Sequence, residues 1–424
     1  MNLEPRSYDK IIQLMNKGVD IPNPSTLDIG AEVKVDCISG KGVKIYPGCR
    51  IYGEKTVISA GTQIGYEGPV TIDNCQIGPD VELKGGYFHK SVFLEKSNMG
   101  SGAHVREGCI LEEQANGAHC VGLKQTILFP FVTLGSLINF CDCLMAGGTS
   151  RKDHSEVGSS YIHFNFTPDG DKTTASLIGD VPRGVMLNQP PIFLGGQGGI
   201  VGPVRLGYGN IVAAGTILRK DVTEEGRLIF AKSPSGAIIQ ATPRMYPALS
   251  RVVANNLLYL ANLIALHQWY VHVRRPFFQT QEFGDPIYAG VLDTLTLAKK
   301  ERIKRLRDLA DKVKASCQEG SGKNPHEPGR REFYSQIEHI QELFAGDGPG
   351  AENTESRDHF LSTLETHKKE RGTRYTECIQ SLPLTTSSKG VQWLEGIVAE
   401  LCSQARKLVP SFDMFSKRSF PSAT

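Results

Sequence analysis

Side chains that take up or release a proton near neutral pH are spread through the first half of the chain. They are the histidines at 89, 104, 119, 154 and 163. An imidazole has a pKa close to neutrality, so it is the usual general base in proteins. His119 lies in the segment NGAHCVG and His163 in SSYIHFNFTPDG, next to turn-forming residues. Each also has a plainer interpretation, as a polar surface residue for His119 and as a packed residue that orders the following loop for His163.

The bulk composition limits the classes of function. The chain has 424 residues, a formal net charge of +2, 40% hydrophobic and 22% charged residues, which is typical of a globular protein. So small a net charge gives no electrostatic case for a nucleic acid or membrane partner. The apolar run 257–273 includes Asn262, His267 and Gln268, so we expect a buried helix rather than a membrane span. Ten cysteines without CxxC pairs and a polar first segment, MNLEPRSYDK, predict free thiols and a cytoplasmic protein.

The elements that position these side chains follow a period of six residues in the sequence. Branched apolar residues recur at Ile200, Leu206, Val212 and Leu218, separated by glycine-rich turns. This spacing fits neither a helix nor a long strand, but it fits three short strands per coil with one apolar residue of each strand directed to the axis. The same spacing runs from about Ile29 to about residue 230 with interruptions. The alternative, a sandwich of unrelated strands, would show alternating residues and hairpin turns. We therefore predict a mainly β fold, a parallel β-helix.

These hexads resemble a known family. Leu/Ile/Val, Gly/Ala, two variable residues, a small residue and one more is the pattern of the left-handed parallel β-helix (hexapeptide-repeat) transferases. Three stretches are similar to the acetyltransferase domain of the bifunctional N-acetylglucosamine-1-phosphate uridyltransferase/glucosamine-1-phosphate acetyltransferase. The stretches are MGSGAHVREGCILEEQANGAHCVG, NFTPDGDKTTASLIGD and VGPVRLGYGNIVAAGTILRKDV. The resemblance covers about half of the chain and implies left-handed coiling, against the usual right-handed crossover.

The resemblance implies acyl transfer from a thioester to an amine or hydroxyl, which needs a base and a donor to the developing oxyanion. It implies His119 as the catalytic base, with His163 as the other candidate. Asn165, Asp169 and Lys172 match the loop that binds the sugar phosphate in the family, although an Asx-type turn alone also explains TPDGD.

The co-substrate implied by the resemblance is acetyl-CoA or another acyl thioester. Ala213, Ala214 and Gly215 match the small residues whose backbone holds coenzyme A in the family. Lys232 lies near the position of the basic residue that meets the cofactor phosphates, and it keeps the charge but not the bidentate geometry of Arg. Small residues are also what tight turns require.

One feature departs from the family. Glu112 and Glu113, in LEEQ, stand where the family has phosphate-binding lysines, and carboxylates there would repel a phosphate.

A zinc enzyme with the same fold uses three histidines, and His119 and His154 have a plausible separation. No third histidine follows within residues 155–162, so we predict no metal.

The pattern of the second half of the sequence predicts α-helices instead of further coils of the β-helix. Apolar residues at helical spacing follow Pro247, and a second long helix is expected from about Tyr288 to Cys317. We expect an N-terminal helical cap at 1–28, the β-helix at 29–232, and an α-helical region at 243–417 with loops near 318–330 and 346–353. The helices are expected to cap the last coil or to bind a partner.

Three functions remain open from the sequence. The first is an acyltransferase acting on a sugar phosphate or nucleotide sugar, such as a UDP-amino sugar. The second is a non-catalytic β-helix scaffold or sugar-nucleotide-binding protein. The third, a nucleotidyltransferase, needs a phosphate-binding domain that nothing before residue 29 resembles. The family resemblance also implies a homotrimer with sites between neighbouring chains.

Overall fold

In the computed structural model, three parallel sheets form the sides of a prism and helices cover one side of it. The structure describes residues 6–164, 170–230, 246–319, 327–346, 354–371 and 374–412, together with 236, 238, 348, 414 and 415. The prediction of a parallel β-helix followed by an α-helical region is confirmed.

The coils stack in register because each strand pairs in parallel with the strand of the next coil. The first sheet has ten strands, and Asp20, which pairs with Lys44, begins one further coil. The strands of the first sheet are Lys44–Ile45, Gln63–Ile64, Glu82–Leu83, Asn98–Met99, Asn116–Gly117, Thr133–Leu134, Glu156–Val157, Phe193–Leu194, Ile211–Val212 and Leu228–Ile229.

The second and third sheets share two long strands that bend around one corner of the prism, Val121–Leu128 and Ile138–Met145. The other strands of the second sheet are Asp28–Ile29, Arg50–Tyr52, Val70–Asp73, Gly86–His89, Ala103–Val105, Ile162–Phe164, Gly199–Val201 and Ile217–Leu218. The other strands of the third sheet are Val57–Ile58, Gln76–Ile77, Ser91–Phe93, Cys109–Leu111, Ser176–Ile178 and Arg205–Leu206. A short antiparallel pair, Gly148–Ser150 and Asp153–His154, projects from one coil.

The core of the prism is the apolar series that the period of six predicts. Ile200, Leu206, Val212 and Leu218 are all buried, with at most 3% of each exposed. Because side chains alternate along a strand, the neighbouring Ile211 and Ile217 face outward and are exposed. The hexad prediction of which residues face the interior is therefore confirmed for these coils.

The helices form a layer of their own. Short 3₁₀ turns occur at Pro24–Thr26 and Val35–Cys37, and a π-helical segment, Tyr270–Arg274, joins α3 to α4. The α-helices are α1 (Tyr8–Lys17), α2 (Val181–Gly184), α3 (Leu249–Trp269), α4 (Arg275–Phe278), α5 (Gly284–Glu319), α6 (Glu327–Ser335), α7 (Ile337–Ala345), α8 (Thr354–Arg371), α9 (Tyr375–Gln380) and α10 (Leu384–Leu408).

Helix α5 runs along the prism instead of only closing its end. It packs against three strands of the third sheet, Gln76–Ile77, Ser91–Phe93 and Cys109–Leu111. Gly290 allows a close approach, because a Cβ there would lie 2.3 Å from Oε1 of Gln76. The third sheet is thus covered by helices, while the first and second sheets present the outward-facing residues named above.

Helix α3 is long and apolar. Among the described residues, Leu249–Phe278 is long and apolar enough to cross a membrane by length and composition, with a mean hydropathy of 1.3. Inside the protein, 78% of its most apolar window is buried, partly against the strand Ser176–Ile178 and α10. The prediction of a buried helix for the apolar run 257–273 is confirmed.

Candidate functional site

His119 lies on the corner of the prism between the first and second sheets. It follows the strand Asn116–Gly117 and precedes the strand that begins at Val121. Its imidazole is exposed, and Nδ1 is 2.8 Å from Oγ of Ser136 in the next coil. The hydroxyl fixes the orientation of the ring, so Nε2 remains directed away from this contact.

The same corner carries three of the predicted cofactor-binding residues. Successive coils are joined there by backbone hydrogen bonds, from Leu137 N to His119 O at 3.1 Å and from Gly215 N to Gly196 O at 2.9 Å. Ala214 and Gly215 are exposed and Ala213 is half-buried. Four coil steps separate His119 from Gly215, which corresponds to about 19 Å along the prism. A ligand contacting both within one chain must therefore be long and extended.

His163 occupies an inward position of the second sheet. It pairs in register with Ile200 and contacts Phe140 edge to face, with ring centroids 6.2 Å apart. Only 3% of the residue is exposed, and Nε2 is 2.8 Å from Oγ of Ser176. Burial, aided by the charge of Arg302, lowers the pKa of His163 to about 3, so its ring is neutral. This geometry favours the packed-residue interpretation of His163 over the catalytic one.

Asp171 and Lys172, two described residues that follow the strand Ile162–Phe164, are held by helix α5. Asn165 and Asp169 lie outside the described residues, as does Lys232. Lys172 is described, and its side chain is exposed, while its carbonyl oxygen accepts a hydrogen bond from Nη1 of Arg302 at 3.0 Å. Asp171, next to it, forms an ion pair with Lys312 at 2.8 Å. The amino group of Lys172 is therefore available to an anion while its backbone is fixed by α5.

The short antiparallel pair Gly148–Ser150 and Asp153–His154 contacts the preceding coils of the same chain through Arg151. Nη1 of Arg151 donates to the carbonyl oxygens of Gln114 at 3.0 Å and Phe131 at 3.2 Å, and to Oγ1 of Thr133 at 2.8 Å. Burial lowers the pKa of Arg151. This guanidinium thus stabilises the coil stack.

Glu112 and Glu113 do not face a ligand site. Both are buried where the third sheet meets the helices, and Glu113 forms an ion pair with Arg274 at 2.5 Å. The Tyr270 hydroxyl donates to Glu112. Burial and the adjacent charge of Glu113 raise the pKa of Glu112 to about 7, against the opposing effect of Arg274. The expectation that these glutamates repel a phosphate beside His119 is therefore wrong, because they anchor the helical region.

Aromatic rings complete this anchor. The guanidinium of Arg274 lies 3.5 Å from the ring centroid of Tyr375 in α9, and Nε1 of Trp269 donates to the Tyr375 hydroxyl at 2.9 Å. A desolvated cation over an aromatic face is among the stronger contacts of its kind. Sequence reasoning missed this cluster, since its members are up to 263 positions apart and share no motif.

A second concave region lies between the last coils and the helices. A cavity of about 230 Å³ is bordered by α2, α3 and α10. Its polar wall contains Arg183, paired with Asp180 at 2.5 Å and with Glu225 at 2.5 Å, while most of the remaining wall is apolar. Glu395 also lines it, and burial raises the pKa of that carboxyl.

No family model matches the chain. Curated relatives named Bifunctional protein GlmU do match it. The protein from Thermotoga maritima is 28% identical over 214 residues, which is 50% of this chain and 42% of the relative. That from Trichlorobacter lovleyi is 28% identical over 224 residues, or 53% of this chain and 43% of the relative. That from Pelobacter propionicus is 29% identical over 222 residues, with 52% and 43% covered. The chain thus spans less than half the length of these relatives, and the resemblance of its β-helix to this group is confirmed.

Proposed function

We propose that this protein is an acyltransferase that moves an acyl group from acetyl-CoA, or another acyl thioester, to a sugar phosphate or nucleotide sugar such as a UDP-amino sugar. The observation that carries the proposal is the exposed His119 held by Ser136 on the corner of the prism that also presents Ala214 and Gly215. The similarity of half the chain to proteins named Bifunctional protein GlmU supports it.

His119 acts as the general base. When Nδ1–H donates to Oγ of Ser136, Nε2 carries the lone pair and can take the proton from the attacking amine or hydroxyl. The nucleophile then attacks the thioester carbonyl, the carbon–sulfur bond breaks, and the proton passes to the leaving thiolate. Backbone N–H groups are the available donors to the developing oxyanion in a coil of small residues.

The remaining predicted site residues divide between the two ligands. Lys172, with its exposed amino group, binds the phosphate of the sugar, because an ammonium is a compact partner for a phosphate. Asn165 and Asp169 belong to the same substrate-binding loop. Ala213, Ala214 and Gly215 line the path of the thioester, and a Cβ at Gly215 would have no atom within 4 Å, which leaves room for a ligand there. Lys232 meets the cofactor phosphates. The chemistry needs no metal.

We further propose a homotrimer located in the cytoplasm. Exposed apolar residues form a ladder on the first sheet, Phe193, Ile211 and Leu228, which are 39%, 48% and 59% exposed. Contiguous exposed apolar surface of this kind is typical of protein contact sites. It adjoins the corner that carries His119, so a neighbouring chain there would help to enclose the site. All ten cysteines are free, as expected in a reducing compartment.

A non-catalytic, sugar-nucleotide-binding scaffold is the alternative. The observation that favours it is the burial of His163, which leaves His119 as the one exposed histidine among the two predicted bases.

The two functions are separated by measuring acyl transfer and ligand binding on the same variants. Acetyl-CoA and UDP-amino sugars are incubated with the protein, and the acylated sugar is detected by mass spectrometry. His119→Asn should abolish product while acetyl-CoA still raises the unfolding temperature, because the base contributes to chemistry more than to binding. His104→Asn, at an exposed histidine of the second sheet, is the matched control and should remain active. Thermal stabilisation without product in the native protein would favour the scaffold.

A further inference from the structure

A basic cavity separate from the His119 corner lies where α3 begins. Its volume is about 360 Å³, and its charged wall contains Arg205, Arg251 and Arg330 with Asp221 as the carboxylate among the described lining residues. Asp221 is already engaged, since it accepts hydrogen bonds from the Arg205 backbone N–H at 3.0 Å and from Nδ2 of Asn255 at 2.9 Å. Arg251 donates from Nη1 to the carbonyl oxygen of Pro203 at 2.5 Å and lies 3.7 Å from Asp221. Among the described lining residues, Arg251 and Arg330 still outnumber the one carboxylate.

The N-terminus of α3 borders the same cavity. Its N-cap residue, Ala248, provides no side-chain cap, and Ser250 and Arg251 of the first turn line the cavity. The first backbone N–H groups of a helix lack intrahelical acceptors and carry a partial positive charge. Within the described part of the chain, the N–H groups of Ser250 and Arg251 have no backbone acceptor. A helix of 21 residues thus directs unsatisfied donors toward this space.

Arg330 supplies an independent observation that points to a ligand. The residue is 8% exposed and lines the cavity. Its Nη2 makes one long contact, 3.3 Å, to the carbonyl oxygen of Tyr246, and its Nε–H is buried with no acceptor among the described residues. A buried, incompletely satisfied guanidinium is costly, and an anion that accepts its hydrogen bonds removes that cost.

Aromatic side chains make up part of the remaining wall. Tyr246, Phe412 and Phe415 line the cavity, and Phe412 is buried. The space exceeds what an inorganic anion fills, and aromatic walls stabilise flat, partly apolar groups. We infer that this cavity binds a phosphate monoester of a small cyclic compound, with the phosphate on Arg330, Arg251 and the N-terminus of α3, and the ring against Phe412 and Phe415.

The test uses the full chain with phenyl phosphate and inorganic phosphate as probes, at constant ionic strength, measured by calorimetry. Phenyl phosphate should bind about tenfold more tightly than inorganic phosphate, because it adds the aromatic contact. Arg330→Gln should weaken phenyl phosphate binding about tenfold or more, because a charge-assisted hydrogen bond is lost. Ser250→Asp should weaken it likewise, and this variant keeps the fold, since a carboxylate is favourable in the first turn of a helix.

Arg307→Gln is the matched control, because it removes an exposed guanidinium of α5 and should leave binding unchanged. If Arg330→Gln fails to fold, Ser250→Asp decides. The inference is overturned if native protein binds no phenyl phosphate at millimolar concentration, or if Ser250→Asp binds it as the native protein does. Equal affinity for inorganic phosphate overturns the assignment to an organic monoester. These measurements do not depend on acyl transfer, so their failure leaves the proposed function untouched.

Discussion

Nη2 of Arg274 lies 2.5 Å from Oε1 of Glu113, and both side chains are nearly removed from solvent, with 2% and 9% exposed. This pair joins the helical region to the β-helix across 161 positions of sequence. Its members also contact Glu112, Tyr270 and Tyr375 through charge or ring interactions. The attachment of the two halves is thus ionic and aromatic at its centre.

Removing one member of this pair should loosen the attachment. Glu113→Gln leaves the guanidinium of Arg274 buried without its counter-charge, and we expect a loss of about 3–5 kcal/mol in the free energy of unfolding. Urea titration followed by circular dichroism measures it. The control is Glu54→Gln, whose exposed pair with Lys34 should contribute about 0–1 kcal/mol. Equal losses of unfolding free energy in the two variants would contradict the role of the Glu113–Arg274 pair in attaching the helical region.

Stability should fall between about pH 4.5 and 7 because of Glu112. Its pKa is raised to about 7 in the folded protein, first by burial and then by Glu113, from 4.5 for an unperturbed carboxyl. The folded state therefore binds more protons than the unfolded state in this window, and the stabilising contribution present below pH 4.5 is lost as the pH rises through 7.

Glu112→Gln cannot titrate, so its stability should decline less than that of the native protein over the same window. The groups facing the carboxyl, namely Glu113, Arg274 and Tyr270, are unchanged in this comparison. Parallel stability curves for the two proteins would show that Glu112 is already ionised in the folded state.

His163 should matter for stability and not for turnover. Its folded pKa, about 3, lies below the unperturbed 6.5, so its stabilising contribution is present above pH 6.5 and is lost as the pH falls toward 3. His163→Gln should lower the free energy of unfolding at pH 7 by about 1–3 kcal/mol through lost packing and hydrogen bonding to Ser176. Its acid sensitivity should be smaller, and acyl transfer per folded molecule should equal that of the native protein. Loss of transfer in folded His163→Gln would restore its catalytic interpretation.

The exposed ladder of the first sheet predicts the assembly state. Ile211→Asp places a charge in the middle of the apolar surface and should convert a trimer to monomers in light scattering at micromolar concentration. Tyr66→Asp, at an exposed aromatic residue of an early coil, is the control and should not change the mass. A monomeric native protein at this concentration would refute the homotrimer.

The fold could largely be predicted from the sequence because the hexad pattern is local. Each hexad places one apolar residue inward, so Leu206, Val212 and Leu218 can be assigned without knowledge of any other segment. The same rule would have identified His163 as interior, since it follows the buried Val157 by six residues. His163 was predicted to be a base from its residue type, and its position in the repeat was not used.

The positions of the helices relative to the β-helix could not be predicted in this way. The spacing predicted that α5 is a helix, but nothing local specifies that it runs beside the third sheet. That arrangement includes long-range contacts such as the pair of Lys55 with Asp293, 2.7 Å apart, and that of Arg302 with Asp142, 2.7 Å apart. Such pairs connect distant, individually unremarkable charges, and Glu112 and Glu113 were misinterpreted for the same reason.

The course of α5 along the prism has a consequence for how this architecture can change. Asp293 and Lys312 contact coils that are six steps apart, and the helix rises about 28 Å between them while the coils rise about 29 Å. Duplicating one coil would require about three more residues of helix to keep the distal pairs in place. Three residues turn a helix through about 300°, so the contacting face would also rotate. A change in the number of coils therefore requires a matching change in the length of α5, and the contacts between this helix and the distal coils must form again on a different helix face.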